Sequence, residues 1–176
     1  MQAYAQQDSN GALTDAQTLT NVLNLSRDKT NVAVAAYEFF TGATPTLAGL
    51  SFLVHSNGVN PNDLTSTYYK DFNTENRFYN FAINLAFGSS GAANFASSYG
   101  SLTFHQAVVG AYENIVGTAN VGATQAAAAI ASIEASLPYF TALASQRAAG
   151  FNQDLAVKAI MIGYILEEGI KADVGT

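Results

Sequence analysis

Residues 68–79, Tyr-Tyr-Lys-Asp-Phe-Asn-Thr-Glu-Asn-Arg-Phe-Tyr, concentrate the side chains of this chain that can do recognition chemistry. They hold four charges and five aromatic rings, in a chain of which only 11% of residues are charged. Rings beside carboxylates, amides and a guanidinium suit a sugar. Flat apolar faces stack on the C–H faces of pyranoses, and the polar groups fork onto hydroxyls. In this reading Tyr68, Tyr69 and Tyr79 offer ring faces. Lys70, Asn73, Asn76 and Arg77 donate hydrogen bonds, and Asp71 and Glu75 accept them. The alternative is structural. Phe72, Phe78 and Phe81 then belong to the core, and Glu75 is a first-turn acid favoured by the helix dipole.

The loop at 57–63, Asn-Gly-Val-Asn-Pro-Asn-Asp, is rich in oxygen donors. Calcium takes about six to eight oxygen ligands from carboxylates, amides and carbonyls. Asn60, Asn62 and Asp63 join Asp71 and Glu75 as candidate calcium ligands if this loop folds back over the next helix. EF-hand spacing is absent, and an ordinary connector in which Asp63 caps a turn is the competing reading. Asp71 and Glu75 also invite comparison with a glycosidase pair, but nothing in the sequence marks either acid as desolvated, and the segment is read as non-catalytic. There is no HExxH, GxSxG, Walker loop or GxGxxG. His55 and His105 are isolated and flanked by apolar helix positions, which fits packing or capping. The absence of cysteine excludes disulfides, thiol nucleophiles and cysteine zinc sites.

These residues must be positioned by helices, because apolar residues recur at three- and four-residue spacing almost throughout. Thr14 or Asp15 caps a helix to about Asn24, Thr30 one ended by Gly42, and Thr46 one through Val54. After a short turn near 64–69, Asn73 or Thr74 caps a helix through Phe78, Phe81 and Leu85, ending near Gly88. Helices follow at 92–99, from Thr103 to Gly117, over 123–136, from Pro138 to about Ala149, and from Asn152 or Gln153 through Ile165. The expectation is an all-α, compact bundle of about eight or nine short helices. Ala36-Tyr37-Glu38 before Gly42 is echoed by Ala111-Tyr112-Glu113 before Gly117, 75 residues on. Either a duplicated helical unit or chance in an Ala- and Gly-rich chain accounts for it.

At 176 residues a single domain spanning 1–176 is the default. Net charge is −6 and the pI about 4.6, with seven unclustered Lys and Arg. That balance argues against nucleic acid and against unaided binding to anionic membranes. Divalent cations could still bridge an acidic surface to glycolipids. No apolar stretch reaches membrane-spanning length, and the first 30 residues carry no charged and apolar targeting pattern. The termini read as those of a segment of a longer protein.

Several longer strings carry a family resemblance: Ala36-Tyr-Glu-Phe-Phe-Thr-Gly42, Ala48-Gly-Leu-Ser-Phe-Leu-Val54, Glu75-Asn-Arg-Phe78, Ile83-Asn-Leu-Ala86 and Asp154-Leu-Ala-Val-Lys-Ala159. With Asn62-Asp63-Leu64, Tyr68-Tyr69, Asn80-Phe81 and Ile162-Gly163, they make the chain from about Gly11 onward resemble the N-terminal domain of the Caulobacter surface-layer proteins. The resemblance implies a helical domain that binds the O-antigen polysaccharide of lipopolysaccharide with calcium assisting. It implies an extracellular location at the outer leaflet of the outer membrane, after type I secretion. The parent is either the lattice protein or the surface-layer-associated metalloprotease, whose zinc motif would lie outside this segment. The start looks shortened relative to the family, and no RTX calcium nonapeptides follow. The alternative is a helical assembly module that packs on surface-layer subunits and has no glycan site.

Overall fold

Periodic apolar stripes, polar caps and glycine or proline stops divide the chain into helices joined by short turns. The computed structural model describes residues 14, 17, 27–54, 64–69, 71–88 and 91–172. A π-helical turn, Arg27–Asn31, leads into α1 (Val32–Thr41), which ends at Gly42 with φ of 71°. Helix α2 (Leu47–Val54) is followed by a 3-10 turn (Thr67–Tyr69) and by α3 (Thr74–Gly88). Then come α4 (Gly91–Tyr99), α5 (Phe104–Ile115), the single turn α6 (Thr118–Val121), α7 (Ala123–Ala135), α8 (Leu137–Arg147) and α9 (Gln153–Ala172). The described residues thus form nine α-helices and no strand, the all-α bundle expected from periodicity.

The caps explain most of the boundaries. Thr46 Oγ1 accepts from the Gly49 N–H at 3.0 Å, and Asn73 Oδ1 from the Asn76 N–H at 2.9 Å. Thr103 and Gln106 form a reciprocal capping box, and Asn152 Oδ1 accepts from the Leu155 N–H at 3.1 Å. Thr14 and Gln17 make the same Thr-x-x-Gln exchange, at 2.9 and 3.2 Å. The rest of the helix expected over 14–24 lies outside the described residues. Thr30 does not cap α1: it sits inside the π-turn, and Asn31 precedes the helix with helical dihedrals and no side-chain cap.

The spine of the bundle is the α3–α9 pair, the most extensive contact between any two helices. Helix α9 is buried from Ala156 to Gly163, and α3 from Phe78 to Ile83. A Cβ built on Gly163 would lie 2.9 Å from the Phe78 carbonyl oxygen, so glycine is what lets the two helices approach this closely. Helices α1 and α4 cover α3, while α5 and α8 cover α9. Lys158 is fully buried in α9, yet its ammonium donates to Tyr99 O (3.1 Å), Leu102 O (2.6 Å) and Asp154 Oδ2 (2.6 Å). Three partners for three N–H donors make this burial tolerable and pin α9 to the end of α4. No single helix among the described residues is long and apolar enough to cross a membrane. Helices α7 and α8 pass by length and composition only as a pair bent by 49°.

Candidate functional site

The first turn of α3 is set by Asn73, whose side-chain oxygen takes the Asn76 N–H and also the Asn76 amide at 2.7 Å. This places Glu75 above Tyr79, one turn on, and the Tyr79 hydroxyl donates to Glu75 Oε1 at 2.7 Å. A second phenol reaches the same oxygen from α8, where the Tyr139 hydroxyl donates at 2.9 Å. Burial pushes the Tyr79 phenol pKa well above its ordinary value, and the neighbouring Glu75 carboxylate adds to it. The Tyr139 phenol is raised by the same two causes in the same order. Arg147, in the last turn of α8, donates from Nη2 to Asn76 Oδ1 and lies 5.8 Å from the centroid of the Tyr79 ring. Helices α3 and α8 are therefore joined by a carboxylate, two phenols, an amide and a guanidinium.

Beside this cluster, Tyr68 stands 61% exposed and is held in place rather than loose. Its hydroxyl accepts from Asn80 Nδ2 at 2.9 Å, and its ring centroid lies 5.1 Å from those of both Tyr69 and Phe72. Tyr69 is fully buried, with its hydroxyl accepting from Asn84 Nδ2 and its carbonyl from Arg77 Nη2, both at 3.4 Å. Burial raises its phenol pKa as well.

Of the side chains assigned to a glycan face by sequence, Tyr68 and Asn73 are exposed, and Asn76 and Arg77 are half-buried. Tyr69 and Tyr79 are fully buried, so neither ring offers a face to solvent. Their hydroxyls explain the difference. Each finds a partner inside, which removes the reason to keep a tyrosine at the surface. Asp71 is exposed and Glu75 half-buried between its two phenol donors. Lys70, Asn60 and Asp63 lie outside the described residues, as does the rest of the loop at 57–63. Among the described residues no three His, Asp or Glu side chains gather as a metal cluster would. His105 is exposed on α5 and pairs with Glu134 of α7.

Sequence reading missed Tyr139 and Arg147. The signal was faint: a tyrosine and an arginine eight residues apart on one helix. Periodicity cannot say which helix such a pair will face.

A second feature was also invisible in sequence. A cleft of about 1270 Å3 opens between α1, α4, α5 and the C-terminal end of α9. Both copies of the Ala-Tyr-Glu echo end beside it, and each is followed by a glycine of positive φ, Gly42 (φ 71°) and Gly117 (φ 75°). The two glutamates differ. Glu113 accepts the Thr118 N–H at 2.9 Å and hydroxyl at 2.6 Å, which holds its carboxyl below the usual range. Glu38 lines the cleft instead.

Set against known families, residues 29–176 match the model described as RsaA N-terminal domain. No curated protein matches the chain.

Proposed function

The chain belongs to the RsaA N-terminal domain family, the N-terminal domain of surface-layer proteins, and from that premise we propose that it is a non-catalytic anchor binding the O-antigen polysaccharide of lipopolysaccharide. Membership in a surface-layer family puts the chain at the cell surface, and that is the observation carrying the reading. The anchor holds its parent, a lattice protein or a surface-layer-associated protease, to the outer leaflet of the outer membrane after type I secretion. The exposed Tyr68 ring, with Asn73, Asn76 and Arg77 beside it, supplies a stacking face and donors of the kind a pyranose requires. Calcium assists, held by the acids at 63, 71 and 75 or bridging this acidic chain to the glycolipid.

Calorimetric titration with delipidated O-polysaccharide, with calcium and then with excess chelator, tests the proposal. Saturable binding weakened by chelator is expected, and Tyr68→Ala with Asn76→Ala lowers it further. Absence of binding to the wild-type protein in calcium overturns it. One observation favours a second reading as an assembly module: α2 exposes Leu47 (85%) and Phe52 (54%). Concentration-dependent light scattering without glycan binding would select that reading.

A further inference from the structure

We propose that the cleft between α1, α4, α5 and the end of α9 is a saccharide subsite for a neutral stretch of the same polysaccharide, an inference that rests on the anchoring reading above. At about 1270 Å3 it exceeds the roughly 300–1,000 Å3 of ordinary small-ligand pockets, which suits several linked rings better than one. Its walls mix two chemistries. Phe39, Leu102 and Ile115 give apolar surface, and Glu38, Asn94 and Asn114 interrupt it.

The polar groups keep unused capacity. Asn94 Nδ2 donates to Phe40 O at 3.0 Å, and its own side-chain oxygen takes no hydrogen bond from a described residue. Asn114 lies beside the Tyr99 hydroxyl. The Glu38 carboxylate makes no ion pair or hydrogen bond with any described residue.

This combination selects the ligand. An acyl chain or an apolar helix would strip water from Glu38 and the two amides and return nothing. A phosphate or other anion would meet the Glu38 carboxylate and, in Lys171 at the rim, a cation already paired with Glu167 and Glu168, in a chain of net charge −6. A neutral sugar satisfies both walls, with C–H faces on Phe39 and Ile115 and hydroxyls donating to Glu38 in charge-assisted bonds.

Gly110 provides the test. It lines the cleft from within α5, and a Cβ built on it meets nothing within 4 Å. Gly110→Leu therefore fills the cleft while improving helix propensity, and Gly110→Ala is its control with the cleft open. With delipidated O-polysaccharide in calcium, Gly110→Leu is expected to weaken binding about tenfold or more, with Gly110→Ala unchanged. Both variants should melt at or above the wild-type temperature. Glu38→Gln, which keeps the shape but loses the charge, is expected to weaken binding by about tenfold. Wild-type affinity in both Gly110→Leu and Glu38→Gln, alongside weakened binding in Tyr68→Ala, overturns the cleft and leaves the anchor standing. Failure of the wild-type protein to bind the polysaccharide at all overturns the anchor, and the cleft with it.

Discussion

Glu75 shows how one side chain changes role once its neighbours are known. In sequence it reads as a sugar acceptor, a calcium ligand or a first-turn acid; in the fold its Oε1 is the shared acceptor of two phenols. Tyr79 is fully buried, so Glu75→Ala removes the acceptor of its hydroxyl, at a cost of about 1–3 kcal/mol. Tyr139 is 48% exposed, so Tyr139→Phe returns its share of the contact to water and should cost less than about 1 kcal/mol. Urea denaturation of the two variants checks the order, and equal losses would show that the buried phenol is not what Glu75 serves. The same phenols set a pH dependence. The folded pKa values of Tyr69 and Tyr79 are raised above the unfolded value of about 10. Their contribution is therefore complete below about pH 10 and is lost as pH rises through the folded values, because only the unfolded chain releases those protons early. Denaturation midpoints should hold from pH 7 to 9 and fall beyond 10, less steeply in Tyr79→Phe. The tyrosines misled sequence reading for a plain reason. Phe78 and Phe81 are in the core as their chemistry foretold, whereas Tyr69 and Tyr79 are buried because their hydroxyls find Asn84 and Glu75 inside.

At the scale of elements, helix ends were the most legible part of this chain because they are decided by neighbours three or four residues away. Thr46, Asn73, Thr103 and Asn152 each accept the N–H that their type and position foretold. The exceptions depend on more than local chemistry. Thr30 was outcompeted by a π-turn that carries the chain into α1, and α6 is a single turn between Gly117 and Gly122, too short for periodicity to register. What sequence did not disclose was which helix faces touch. Gly163 reads as a weak point in a 20-residue helix, and the fold shows that it is the crossing of α9 over α3. Its missing side chain is filled by the backbone of Phe78, which cannot rotate away as a side chain could. Gly163→Ala should therefore destabilise by roughly 1–3 kcal/mol, although alanine is the better helix former. Gly110→Ala, facing open space, should stabilise by up to about 1 kcal/mol. The two substitutions are chemically identical, and guanidinium midpoints that moved the same way would contradict the close α3–α9 approach.

At the scale of the whole molecule, the all-α class followed from spacing, and the pairing of α3 with α9 did not, because 64 residues separate the two helices and either could have packed elsewhere. The cleft is walled by α1, α4, α5 and the end of α9, helices distant in sequence, and could not be read before they were placed. Net charge was legible from the start, and it constrains how a surface anchor can work. The chain carries thirteen acids against seven Lys and Arg. Several of those cations are already committed: Lys158 is buried on three oxygens, Arg147 bonds Asn76, and Lys171 bonds Glu167 and Glu168. The overall field of an acidic chain repels the phosphates of lipid A or an inner core. On the anchoring reading proposed above, affinity must come from the outer, less charged sugars. Contacts at the Tyr68 face and in the cleft, made to neighbouring stretches of one repeating polymer, would add as linked events rather than separate ones. Delipidated O-polysaccharide should then bind as tightly as intact lipopolysaccharide at equal sugar concentration. Truncated lipopolysaccharide lacking O-polysaccharide should bind only with calcium present, and that residue of binding should vanish with chelator. Raising salt from 50 to 500 mM, which screens charges beyond a few ångströms, should leave O-polysaccharide binding nearly unchanged. Surface plasmon resonance over the three ligands reads all of this, and salt-sensitive binding to the truncated form without calcium would place the anchor's affinity on phosphates after all.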